Sequence, residues 1–214
     1  MKIIQSITLF FMLSLTSLAS AVPVRLDVLG AVSHTAVPNV VDVGDFFHIS
    51  IFYNHETPAS TSSPTTATYA TNHITRLDIG GLSFAGSEGD ITVSNNHLIC
   101  PTRACFILDE LTVTARSFDG TIGGYEVDNL FLNLSDFSDT LFDDIVLPAG
   151  PSGLDTTSLS YGYWSQVYIK LGDGYDFIGL AIDEVRISAV PLPATAWFLG
   201  PALLGLGLVK SRKL

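Results

Sequence analysis

The chain has 214 residues, enough to bury one sizeable hydrophobic core. Only 14% are charged while 47% are hydrophobic, so the shortfall in charge is filled by uncharged polar side chains and not by a fully membrane-embedded composition. Ten Lys and Arg stand against 21 Asp and Glu, a net charge of −11 that argues against nucleic-acid binding and against a basic peripheral membrane binder. Two cysteines exclude a four-cysteine zinc site and a disulfide-dense scaffold.

The first 21 residues read as a secretory signal peptide. Lys2 is the positive start, Ile3 to Leu18 is the apolar stretch, and Ala19-Ser20-Ala21 is the small-residue cleavage pattern. Residues 22–189 follow as an extracytoplasmic body. All 21 acids of the chain fall in it, with only six of the ten basic residues, so its net charge is −15.

The body alternates like an antiparallel β domain. Asp45 to Tyr53 puts Phe47, Ile49, Ile51 and Tyr53 on one face and Phe46, His48, Ser50 and Phe52 on the other. Thr57 to Thr68 carries two prolines among small polar residues and reads as a loop. Ile74 to Ile79 and Asp90 to Val93 are short β-branched runs. Cys105 to Ser117 alternates in its later half. Tyr125 to Leu134 needs a bulge at Asp128-Asn129 to keep Val127, Leu130, Leu132 and Leu134 together. Leu134, Phe137 and Leu141 are spaced for a short helix or turn near Ser135 to Asp144. Leu159 to Leu171 is the longest strand candidate, and Phe177 to Ser188 closes the domain. Together these predict an all-β, antiparallel, jelly-roll-like sandwich with a single transmembrane helix at the C-terminus.

Cys100 and Cys105 frame a tight turn, and an exported chain favours joining them in a structural disulfide. Between Asp109 and Glu184 lie 14 acids opposed only by Arg116 and Lys170. Asp136/Asp139/Asp143/Asp144 and Asp173/Asp176 are the local clusters, and Asp173 with Asp176 is the candidate calcium site, since calcium takes several oxygens. No EF-hand loop, G-x-S-x-G elbow or H-E-x-x-H motif occurs. The histidines, His34, His48, His55, His73 and His97, lack ligand spacing. On the Leu159 to Leu171 strand one face carries Trp164, Gln166, Tyr168 and Lys170. Trp164 and Tyr168 are the candidate sugar-stacking pair, because an aromatic beside amide and amine donors can pack a sugar ring and bond its hydroxyls.

The tail is more specific. Val190-Pro191-Leu192-Pro193-Ala194 precedes an apolar run from Ala194 to Val209, and Lys210, Arg212 and Lys213 follow as a basic stop. The run is 16 residues, about 24 Å as a helix, which is short for a bilayer core. Motif, short span and basic cluster occur in the order of the PEP-CTERM sorting signal, and residues 190–214 resemble its VPLPA variant. Leu192 departs from the commoner glutamate. The resemblance implies that the chain is a substrate of an exosortase-type membrane transpeptidase. It also implies membrane anchoring through the C-terminal helix before processing and a cell-surface or extracellular form afterwards.

The expected function is therefore that of an exported envelope or extracellular-matrix protein associated with exopolysaccharide or biofilm. No catalytic activity, cofactor or nucleic-acid partner is expected. A carbohydrate- or calcium-binding module is the alternative, and a glycoside hydrolase, which needs two placed carboxylates, is the next.

Overall fold

The structure is a computed structural model that describes residues 23–70, 74–99, 106–137, 142, 144–149, 160–161, 165–171 and 173–190. The expected signal peptide, Cys100, Cys105, Asp139, Asp143, Trp164 and the tail from Pro191 onward lie outside the described residues.

Among the described residues there are thirteen antiparallel strands: β1 (Pro23–His34), β2 (Phe46–Asn54), β3 (Thr61–Ser62), β4 (Thr66–Ala70), β5 (Ile74–Ile79), β6 (Leu82–Gly86), β7 (Glu88–Ile99), β8 (Phe106–Arg116), β9 (Thr121–Ile122), β10 (Tyr125–Asp136), β11 (Ser160–Tyr161), β12 (Gln166–Leu171) and β13 (Gly174–Ala189). Among the described residues there is no helix, and so none long and apolar enough to cross a membrane. The expected all-β antiparallel character is met. The expected membrane helix falls on residues that are not described.

The hydrogen-bonded order is β3-β4-β7-β8-β10-β12-β13-β1-β2-β5-β6, with β9 and β11 also on β10. Apart from short β9 and β11, β7 to β13 and then β1, β2, β5 and β6 follow one another as in an up-and-down meander. The first and last long strands lie side by side, with Val24 opposite Ala189 and Val28 opposite Val185. This order differs from a jelly roll, in which strands from distant parts of the chain interleave. The excursion is β3-β4, which leaves between neighbours β2 and β5 to pair with β7.

Alternation sets the inner face. Val24, Leu26 and Val28 of β1 meet Phe47, Ile49 and Ile51 of β2, with Leu77 of β5, Leu130, Leu132 and Leu134 of β10, and Val167 and Ile169 of β12 in one buried cluster. Full burial of such a side chain contributes about 1.5–3 kcal/mol. An outward cross-strand pair contributes only about 0.2–1 kcal/mol, so the inner face decides the register. The sheet folds over this core. Tyr53 of β2 donates its hydroxyl to the Pro148 carbonyl at 2.8 Å, and Tyr69 of β4 donates to the Ile145 carbonyl at 2.6 Å. Two strands far apart in the sheet thus hold the same short segment over one end of the core.

Gly30 marks a close approach. A Cβ there would stand 2.0 Å from the Ala181 carbonyl oxygen and 2.9 Å from the Phe47 ring. The β1–β13 register shifts at Leu29/Gly30, where the strand is pressed against its neighbour.

Several sequence expectations change. The Thr57 to Thr68 loop ends in strand: Thr61–Ser62 and Thr66–Ala70 form a hairpin, with Ala67 and Tyr69 buried. In the Ser135 to Asp144 segment, expected as a short helix or turn, β10 continues to Asp136 against β8 and the chain turns at Phe137, with no helix among the described residues. Within Leu159 to Leu171 the described strands are β11 and β12, with Ser165 outside both and buried. The bulge predicted at Asp128-Asn129 is present as a register shift between Val127 and Asn129.

Candidate functional site

Tyr168 stands where alternation places it. Val167 and Ile169 point into the core, so Gln166, Tyr168 and Lys170 take the outward face of β12. Register then supplies neighbours from other strands. Arg116 of β8 lies opposite Asn129 of β10, Asn129 opposite Tyr168, and Tyr168 opposite Phe177 of β13. The Phe177 ring sits 4.9 Å from the His34 ring at the end of β1, tilted by 38°. Tyr175, two residues from Phe177 on β13, is 61% exposed. The result is a row of guanidinium, amide, phenol, phenyl and imidazole across five strands. Alternation along the sequence gives Tyr168 and its strand neighbours Gln166 and Lys170, but not Arg116, Asn129, Phe177 and His34, which only strand pairing and the Phe177–His34 ring contact bring beside it.

The cations of this face differ from the rest. Arg25 pairs with Asp27, Arg76 with Asp78 and Arg186 with Glu184 on the outward side of β1, β5 and β13. Among the described residues, Arg116 and Lys170 form no such ion pair, although Glu88 and Glu126 stand opposite them across the strands.

A second polar group joins Asp27, His48 and Ser50. The Ser50 hydroxyl donates to Asp27 Oδ1 at 2.7 Å, and His48 Nε2 lies 2.7 Å from the same oxygen and 3.2 Å from Ser50 Oγ. Burial pushes the Asp27 carboxyl up, but the bonds from Ser50, His48 and Arg25 outweigh it and hold the carboxyl below its usual range. The residue types are those of a hydrolytic triad, but the arrangement is not. A relay histidine uses opposite ring nitrogens on nucleophile and acid. Here one nitrogen faces both, and Ser50 is only 4% exposed. Asp78 beside this group is also held down: burial raises its carboxyl, and bonds from Ser83 and Arg76 more than compensate.

Asp109 and Asp136 are cross-strand partners, both fully buried. Asp109 Oδ1 accepts the Asn96 amide at 2.9 Å and Oδ2 accepts the Phe142 amide at 3.0 Å. Its oxygens therefore fasten backbone from two other segments, which is a structural task, and neither acid is presented to solvent. Tyr69 and Tyr53 cap the same end. Burial raises the Tyr69 phenol, with the Asp144 charge adding to it, and burial alone raises Tyr53, so both remain hydroxyl donors at neutral pH.

At the candidate calcium site, Asp173 lies in the turn between β12 and β13, and Asp176 Oδ1 accepts its neighbour's amide, Phe177 N, at 2.9 Å. Among the described residues no three His, Cys, Asp or Glu side chains stand close enough to share a metal ion. An open depression of 320 Å³ lies elsewhere, lined by Leu82, Ser83, Phe84, Asp119, Gly120 and Thr121. Its one carboxylate, Asp119, accepts the Ala85 amide at 2.6 Å and so closes a turn.

The sequence motifs at the two ends and the outward aromatic row thus carry the functional reading, and comparison of the chain with protein-family models, with curated proteins and with solved structures finds no match.

Proposed function

We propose that the chain is an exported, non-catalytic envelope or matrix protein, delivered by its signal peptide and sorted through its C-terminal tail. The observation that carries this reading is the ordered tail itself: Val190-Pro191-Leu192-Pro193-Ala194, a short span and the basic stop Lys210, Arg212, Lys213. Gly200, Gly205 and Gly207 with Pro201 weaken a span already short for a bilayer. Such a span serves as a transient stop better than as a permanent anchor. The proposed processing partner is an exosortase-type transpeptidase, and the proposed setting is exopolysaccharide or biofilm at the cell surface.

The acidic body supports a soluble extracytoplasmic domain, since a net charge of −15 keeps such domains apart. Cys100 and Cys105 are proposed to join in a disulfide at the β7–β8 turn. Their neighbours Ile99 and Phe106 are cross-strand partners, which supports that pairing. A sugar-binding role is the second reading, favoured by the outward position of Tyr168 beside Gln166 and Lys170.

Replacing Pro191 and Pro193 with alanine keeps the span apolar but alters the motif. Fractionation of the producing cells should then find the body in the membrane pellet instead of at the surface or in the medium. Wild-type distribution in that double variant would count against motif-dependent sorting.

A further inference from the structure

We propose that the row Arg116–Asn129–Tyr168–Phe177–His34 is a binding strip for an uncharged polysaccharide chain lying across the strands. The inference rests on the exopolysaccharide reading above and names the surface and the ligand class. Five side chains from β8, β10, β12, β13 and β1 reach the same outward face at successive strands. Each step along the row is one inter-strand spacing, about 4.8 Å, comparable to the length of one pyranose residue. A linear glycan running across the strands therefore meets a new side chain at each sugar.

The chemistry of the row suits sugars. Tyr168 and Phe177 offer ring faces against which the axial C–H groups of a pyranose can pack. Gln166 offers an amide that both donates and accepts, and Asn129, whose amide already donates one hydrogen to Asp128 at 2.7 Å, offers its carbonyl oxygen and its second N–H. Arg116 and Lys170 donate, and Glu88 and Glu126, their cross-strand neighbours, accept. Sugar hydroxyls do both, so a strip carrying donors and acceptors matches them. A polyanion fits poorly. Arg116 and Lys170 stand opposite Glu88 and Glu126, Asn129 is bonded to Asp128, and a body of net charge −15 repels acidic polymers. An aliphatic protein partner fits poorly as well, because the three adjacent rings carry a phenol hydroxyl and an imidazole and are bordered by Asn129, Arg116, Gln166 and Lys170.

The test uses the purified full chain in detergent. The probes are the neutral and acidic exopolysaccharide fractions of the producing cells, separated by anion exchange. Calorimetry should show the neutral fraction binding and the acidic fraction binding at least about tenfold more weakly. Tyr168→Ala and Phe177→Ala should each weaken neutral binding by about tenfold or more. Because Phe177 packs on His34, the exposed changes Arg116→Gln and Lys170→Gln serve as variants that leave the fold alone, and each should weaken binding several-fold. The proposal is overturned if neither fraction binds, if only the acidic fraction binds, or if all four variants bind as wild type. It is also overturned if sedimentation shows the strip buried in a dimer that Tyr168→Ala dissociates. A chain that binds the neutral fraction yet fails to reach the surface would refute the sorting reading and leave the strip standing.

Discussion

At Asp27, burial and hydrogen bonding act on one carboxyl in opposite directions. Its side chain is 14% exposed, which favours the neutral form, while Ser50, His48 and Arg25 bond the charged form and prevail. A carboxyl held below its unfolded value stabilises the fold above that value, about pH 4, and the contribution is lost as pH falls through the lower folded value. Asp27→Asn should therefore be less stable than wild type at neutral pH, with the gap closing as the pH is lowered below about 4. Urea unfolding across that range checks this, and parallel profiles for the two proteins would show that the network contributes nothing. Such residue-level bonding was not legible in the sequence. Asp27, His48 and Ser50 are recognisable residue types, but only the β1–β2 register, which sets Asp27 against Ser50, brings them together. Tyr168 shows the opposite case: its outward position follows from alternation with Val167 and Ile169 alone.

Among the elements, the β7–β8–β10 unit depends on one acid. Asp109 holds Asn96, whose φ of 55° lies at the register shift between Ser94 and His97 inside β7, and Phe142, at the start of the segment that Tyr53 and Tyr69 fasten over the core. Asp109→Ala leaves two amides without their acceptor at a buried site, at a cost of about 1–3 kcal/mol each. Chemical denaturation should show a loss of about 2–6 kcal/mol, and Asp109→Asn, which keeps one acceptor oxygen, should recover part of it. A loss below about 1 kcal/mol would mean that water replaces the carboxylate. Legibility at this scale followed hydrophobic contrast. β2, β5, β8 and β10 carry large apolar residues at every second position and were readable. β4 was not, because its inward residues are Ala67 and Tyr69 between threonines, directly after a proline-containing stretch. β1 alternates clearly through Val24, Leu26 and Val28, yet it follows the apolar run of residues 3–18, against which a strand period stands out poorly.

For the molecule as a whole, the meander brings β1 beside β13, so both ends of the body leave from neighbouring strands of one sheet. Three of the body's six basic residues, Arg25, Arg76 and Arg186, are spent in ion pairs on that side of the sheet, where exposed pairs add little stability. The body's acidity was legible from composition. The distribution of its few cations was not, because it depends on strand order. The fate of the tail is read from the C-terminal peptide of the mature protein, recovered from its native envelope and identified by mass spectrometry. Processing predicts a terminus close to Pro193 with the span and Lys210, Arg212 and Lys213 removed. Recovery of an intact Lys213-Leu214 terminus from the surface-localised form would contradict it and make the tail a permanent anchor.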